Sequence, residues 1–262
     1  LHATLFRPRS PAPGARPAVI FIHGGGWRAR SPKNTYGAWL AERGYVVANI
    51  QYRLTGEAKW PAQIEDCKLG VRWLRANAHQ YQIDPERIGV FGTSAGGHLA
   101  ACVGLIRDPK LEGNGGFPGI SSAVAAVGVF CGPADFTVDW LPGKPHPPWV
   151  VALMGMPRAE NPAIWKEASP AQHVRSDAPP FYIAHGEGDT HAPFAQGKIL
   201  SDALRRSGVS VEWVPVRNGS HDFFVNPTNA ASKLDPTREA IMAGLLKFFD
   251  RHLKSAGESG PR

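Results

Sequence analysis

Cysteine is scarce in this chain of 262 residues: Cys67, Cys102 and Cys131 are all it has. Three is too few, and odd, for a disulfide framework. No apolar run approaches the ~18–20 residues that a membrane-spanning helix needs, so a helical membrane protein is excluded and no membrane partner is expected. Charge is sparse too, at 19% Asp, Glu, Lys and Arg against 43% hydrophobic residues, a balance that supports a sizeable core and excludes wholesale disorder. The net charge of +7 comes from 29 Lys and Arg against 22 Asp and Glu. These cations are scattered, apart from Lys247, Arg251 and Lys254 on one helix face. With no basic stripe and no interleaved aromatics, no nucleic-acid partner is expected. There is no internal repeat. The chain begins at Leu1 without an initiator methionine. A removed signal peptide and a trimmed terminus both account for that, and the expectation drawn is a secreted or periplasmic protein.

What is present is an alternation of two residue periods. Residues 17–22 form a continuous apolar run rich in β-branched and aromatic side chains, as expected of a strand buried on both faces. Similar runs occupy 44–50, 87–91, 123–130, 180–184 and 209–216. Between them, Ile64, Cys67, Val71 and Leu74 recur at three or four residues, predicting a helix over 64–79. Helical patterns also cover 95–106, 195–207 and 236–253. Strands alternating with helices in this way specify an α/β fold with a mostly parallel sheet. One stretch of about fifty residues, between 130 and 180, breaks the rhythm. Loops beyond about 12–15 residues in compact domains are usually functional or disordered. Pro142, Pro145, Pro147, Pro148, Pro157 and Pro162 punctuate this one, but Trp140, Trp149 and Trp165 argue against disorder. The reading is a small cap with short helices around 149–154 and 162–166.

The strongest local signal is Gly92-Thr93-Ser94-Ala95-Gly96, directly after one strand and before one helix. That is the context of a G-x-S-x-G nucleophile elbow, which holds a serine hydroxyl above the sheet in a strained turn. Ser94 is the candidate nucleophile. At the end of the first buried strand stand His23, Gly24, Gly25, Gly26 and Trp27. Glycines let backbone N–H groups approach a reacting carbonyl, so this glycine run is expected to supply one part of an oxyanion hole and the N–H of Ala95 the other. A serine needs a base that is itself oriented by an acid. His221, in a polar turn after the sixth strand, is the candidate base. His98, four residues past Ser94 on the same helix, is expected in the packing below, and His252 on a solvated face. For the acid, the turn after 180–184 offers Asp189 and Glu187; Asp189 is preferred, with Asp222 and Asp177 further alternatives. His185, Asp189 and His191 could also suggest a metal site, but further ligands at recognisable spacing are missing. Neither a metal nor any other cofactor is expected. Trp27, Trp140, Trp149, Phe223 and Phe224 are candidate pocket walls.

With these residues in place, the chain resembles the α/β-hydrolase esterases of the hormone-sensitive-lipase-like group, including bacterial acetyl-xylan and feruloyl esterases. Further parts of the resemblance are Tyr52-Arg53-Leu54, Ile83-Asp84-Pro85, Ala168-Ser169-Pro170 and the turn 185–189. It implies one α/β-hydrolase domain over 1–254 with a cap insertion at about 135–175, while the Gly, Ser and Pro of 255–262 read as a flexible tail. It also implies a Ser94–His221–Asp189 triad, with Gly25, Gly26 and Ala95 as oxyanion donors. The implied function is a serine carboxylesterase acting on short-chain acyl esters, small or polysaccharide-linked, including acetyl or feruloyl esters. Departures are the short leading edge at 2–7, the polar Thr190 and His191, and Asp222 where a small residue is usual. An arylformamidase-like amide hydrolase or acyltransferase would use the same residues. A non-catalytic binding protein would have lost a serine, histidine or oxyanion glycine.

Overall fold

The computed structural model describes residues 1–10, 14–30, 35–221, 223 and 234–255. Asp222, Phe224 and all but the first residue of the expected tail lie outside the described residues. Seven strands form one sheet: β1 (Ala3–Phe6), β2 (Arg16–Ile22), β3 (Val46–Ile50), β4 (Ile83–Thr93), β5 (Ala126–Phe130), β6 (Phe181–Gly186) and β7 (Val211–Val216). Their spatial order is β1-β3-β2-β4-β5-β6-β7, with only β1 antiparallel to its neighbour. The connecting helices are α1 (Thr35–Ala41), α2 (Ala62–Ala76), α3 (Ala78–Tyr81), α4 (Ala95–Leu105), α5 (Pro148–Met154), α6 (Pro162–Glu167), α7 (Phe194–Arg206) and α8 (Arg238–Leu253).

The near-continuous apolar strands follow from helices covering both faces of the sheet. Ala18, Ile20 and Ile22 point to one side, where they pack with Ile64, Val71 and Leu74 of α2 and Leu99 of α4. Val19 and Phe21 point to the other, against Leu40 of α1 and Leu245, Phe248 and Phe249 of α8. Strand edges differ from the expectation where flanking apolar residues run past the hydrogen-bonded ladder: β5 begins at Ala126 rather than 123, and β7 at Val211 rather than 209. Helix α1 was not legible. It is seven residues long with Gly37 inside it, and such a short segment is nucleated by tertiary packing rather than by its own propensity.

The two expected short helices of the insertion are α5 and α6. Gly155, at φ 81°, ends α5 in the left-handed region. Asn161 starts α6 by accepting a hydrogen bond from the Ile164 amide at 3.3 Å, with Pro162 following it. The insertion is tied down from below: Trp60 donates its backbone N–H to Leu153 and its indole N–H to Glu167.

Candidate active site

Strands β3 and β4 lie on opposite sides of β2, so the chain direction of the connections reverses there. In open α/β sheets ligands bind beyond the carboxyl ends of the strands at such a point. Here the loop leaving β2 carries Gly24, Gly25 and Gly26, and the turn leaving β4 carries Ser94. The register pairs Ile22 with Gly92, which brings the two turns side by side.

Ser94 has φ 55° and ψ −123°, a strained conformation for a non-glycine residue, and its N–H donates to the Phe130 carbonyl at 2.7 Å. The flanking glycines are required by contact. A Cβ on Gly92 would stand 2.1 Å from the Gly96 oxygen, and one on Gly96 2.0 Å from the Ile22 oxygen. Ala95 opens α4, so its N–H belongs to the first helical turn, where donors lack intrahelical partners and negative charge is favoured. Gly25, Gly26 and Trp27 all have positive φ, at 112°, 59° and 56°. The Gly25 carbonyl accepts from the amides of Arg28 and Ala29, closing the loop on itself.

The structure brings Ser94, His221 and Asp189 together. The Ser94 hydroxyl lies 2.8 Å from His221 Nε2, and His221 Nδ1 lies 2.7 Å from Asp189 Oδ2. With Nδ1–H donating to the carboxylate, Nε2 is free to accept the serine proton. The other carboxylate oxygen of Asp189 accepts from the amides of His191 and Ala192. Burial raises the Asp189 carboxyl, but hydrogen bonds from His185 and His221 outweigh it and hold the group at about 2. Glu187 is exposed on the same turn and is not brought to His221; its amide donates to Val216. Asp177 is paired with Arg175 at the surface.

His98 and His23 lock the glycine loop after β2. His98 is fully buried; its Nε2–H donates to the Ala168 carbonyl at 2.7 Å and Nδ1 accepts the Trp27 indole N–H at 3.3 Å. Burial pushes the His98 imidazole down to about 4. His23 bonds Gly24 through Nδ1 and stacks on Tyr52, 4.5 Å between ring centres. His252 packs edge-on against Phe248 and is only partly solvated.

The supporting role of one residue, weighed in the sequence only as a metal ligand, was missed by sequence reasoning. His185 is wholly buried, with Nε2 2.7 Å from the Ala192 carbonyl and 3.2 Å from Asp189 Oδ2. Its place at the end of β6, four residues before Asp189, was the available signal. Among the described residues, Cys131, His185 and Asp189 each place one candidate metal-ligand atom within 4.8 Å of the others. The carboxylate and His185 Nε2 are already engaged in the hydrogen bonds above, so His185 braces Asp189. His191 is not in that cluster but stacks on His221, 5.4 Å between centres and 22° from parallel.

A cleft of about 480 Å³ opens over Ser94. Trp27, Trp140 and Trp149 line it, although Trp27 and Trp140 are mostly buried in the packing beneath. Phe223 does not. It is fully buried behind the sheet with Val216, Phe248 and Phe249, because an apolar ring just past the His221 turn is drawn into that core. A second groove, of about 640 Å³, runs beside the loop 112–124, remote from these groups.

The profile of the BD-FAE family matches residues 5–204. Esterase LipQ of Mycobacterium tuberculosis is 34% identical over 231 residues, covering 86% of this chain and 54% of that protein. The chain thus spans about half the length of the curated relatives it matches. A truncated carbohydrate esterase from gut microbiota superposes with a TM-score of 0.82 at 28% identity, covering 97% of this chain and 91% of that one. Thermogutta terrifontis esterase 2 phosphorylated by paraoxon superposes at 0.77 with 27% identity, covering 99% and 90%.

Proposed function

The chain belongs to the BD-FAE family and has the α/β-hydrolase fold of its esterase neighbours, and on that premise we propose that it is a serine carboxylic-ester hydrolase using Ser94, His221 and Asp189. The observation that carries this reading is the unbroken relay from the Ser94 hydroxyl through His221 to Asp189, at 2.8 and 2.7 Å, on the floor of the cleft. His221 takes the hydroxyl proton as Ser94 Oγ attacks the ester carbonyl. The backbone N–H groups of Gly25, Gly26 and Ala95 receive the oxyanion. His221 then gives the proton to the leaving alcohol, and the acyl-Ser94 that remains is hydrolysed by water with His221 again as base.

The finer reading is a preference for short acyl groups, acetyl or feruloyl, on carbohydrate alcohols. Two things support it: a carbohydrate esterase among the structural neighbours, and a cleft walled by Trp140 and Trp149, whose flat faces suit sugar or phenolic rings. The test is labelling with a p-nitrophenyl phosphonate, followed by peptide mass mapping. The expected result is one adduct on Ser94, loss of p-nitrophenyl acetate hydrolysis in step with it, and no turnover by a folded Ser94→Ala variant. An adduct elsewhere with the same loss of activity would overturn the assignment.

A further inference from the structure

The first forty-one residues contain Arg7, Arg9, Arg16, Arg28, Arg30 and Lys33 and neither Asp nor Glu. Of these, Arg28 and Arg30 follow the glycine loop after β2, whereas Arg7, Arg9 and Arg16 lie at the opposite end of the sheet. Arg28 follows that loop directly, is exposed, and lines the cleft. Among the described residues no carboxylate lines the cleft, and none pairs with Arg28 or Arg30. Arg28 is held instead by its surroundings. Its guanidinium lies over the Trp149 ring, 5.5 Å from the centroid, and its amide is bonded to Gly25. A guanidinium stacked on an aromatic face keeps its in-plane donors available for a carboxylate.

The wall continues toward the chemistry. Trp149 stacks on His191 at 6.0 Å and 21°, and His191 stacks on His221 at 5.4 Å and 22°. His221 Nε2 is the atom that would protonate the leaving alcohol. The row from His221 through His191 and Trp149 to Arg28 therefore starts at the alcohol side of the scissile bond. A ring on the alcohol that followed the aromatic part of this row would bring a substituent beyond it to the guanidinium.

We propose that Arg28 and Trp149 form an alcohol-side subsite for esters whose alcohol part carries a carboxylate on a ring: acyl esters of acidic sugars or of hydroxybenzoates. This rests on the ester-hydrolase reading above and narrows its substrate class. A carboxylate meeting Arg28 forms a charge-assisted pair in a half-apolar cleft, and the local positive field raises the concentration of anionic esters at its mouth.

The test compares 4-acetoxybenzoate with 4-acetoxybenzamide, and an O-acetyl uronate glycoside with its carboxamide, as ratios of kcat/KM within each pair. Taking the ratio for Arg28→Gln as the baseline cancels the intrinsic reactivity of the esters. The wild-type ratio should exceed that baseline by about five- to tenfold, and added salt should erode the difference. Arg28→Lys should retain part of the excess, and Arg28→Glu should fall below the baseline. Arg251→Gln, a charge-matched change on α8, should leave the ratio at its wild-type value. The two pairs separate the sources: an excess confined to one identifies an aromatic acid or an acidic sugar as the fitting alcohol. Equal ratios in wild type and Arg28→Gln, with both esters turned over, would overturn the subsite and leave the hydrolase standing. No turnover of any ester and no phosphonate adduct on Ser94 would overturn both.

Discussion

At the scale of single residues, the site depends on which of two neighbouring carboxylates reaches the histidine. Asp189 is buried and accepts from His221, His185 and two backbone amides, while Glu187 faces solvent two residues earlier. Asp189→Asn removes the acceptor that sets the His221 tautomer. It should lower kcat by about 10³–10⁴, with little change in binding. Glu187→Gln should change kcat by less than about threefold, as expected for an exposed side chain away from the chemistry. Steady-state kinetics on p-nitrophenyl acetate with both variants checks this, and the reverse ranking would transfer the role to Glu187. Because the Asp189 carboxyl is held at about 2, below the ordinary 3.8 of an aspartate, it is ionised throughout the range in which an imidazole can act as base. Its contribution to stability is complete above 3.8 and is lost only as pH falls through about 2.

At the scale of elements, the insertion between β5 and β6 shapes the cleft without being a large lid. Helices α5 and α6 span seven and six residues, and Lys144, His146, Arg158 and Glu160 interrupt any apolar face. Trp60 and His98 bind the insertion to the body through Leu153, Glu167 and Ala168. Prolines at 147, 148, 157 and 162 lower the entropy lost in holding it there. A wall fixed this way does not open for a long chain, so p-nitrophenyl acetate should be hydrolysed faster than the butyrate, and both far faster than the octanoate and dodecanoate. A rate panel across these esters decides it. A maximum at octanoate or beyond, or a jump in rate above the solubility limit, would make the insertion an interfacial lid.

For the whole molecule, the most consequential buried group is His98. It links the glycine loop after β2 through Trp27, helix α4 on which it sits, and the insertion through Ala168. Burial keeps it neutral down to about 4, whereas an unfolded histidine takes up a proton near 6.5. Between those values the unfolded chain binds more protons than the folded one, so stability falls as pH drops from 6.5 and levels off near 4. The loss from this residue is at most about 3 kcal/mol. His23 and His146, also lowered by burial, act in the same direction. Urea unfolding midpoints measured across this window should fall steeply for the wild type and less steeply for His98→Gln. Equal slopes would show that His98 does not hold its proton deficit in the fold.

The sequence alone determined the features that come from local chemistry. Continuous apolar runs separated by helical periods required a sheet covered on both faces, and Gly92 and Gly96 bracket Ser94 because the turn has no room for a Cβ on either side. The order of strand, elbow and helix placed Ser94 above the sheet, and the glycines after β2 marked the loop beside it. Among the described residues, no helix is long and apolar enough to cross a membrane, as the short apolar runs implied. Tertiary structure decided whatever depends on distance between remote segments. Asp189 and Glu187 are alike in local sequence, and only the closeness of the β6 and β7 turns sets one against His221. His185 braces the acid because it lies inward at the end of β6, and Phe223 enters the rear core because α8 offers it an apolar surface. The row of Arg28, Trp149, His191 and His221 draws on four separate stretches of chain. No periodicity encodes such a row; packing the insertion and the strand-end loops over one sheet edge creates it.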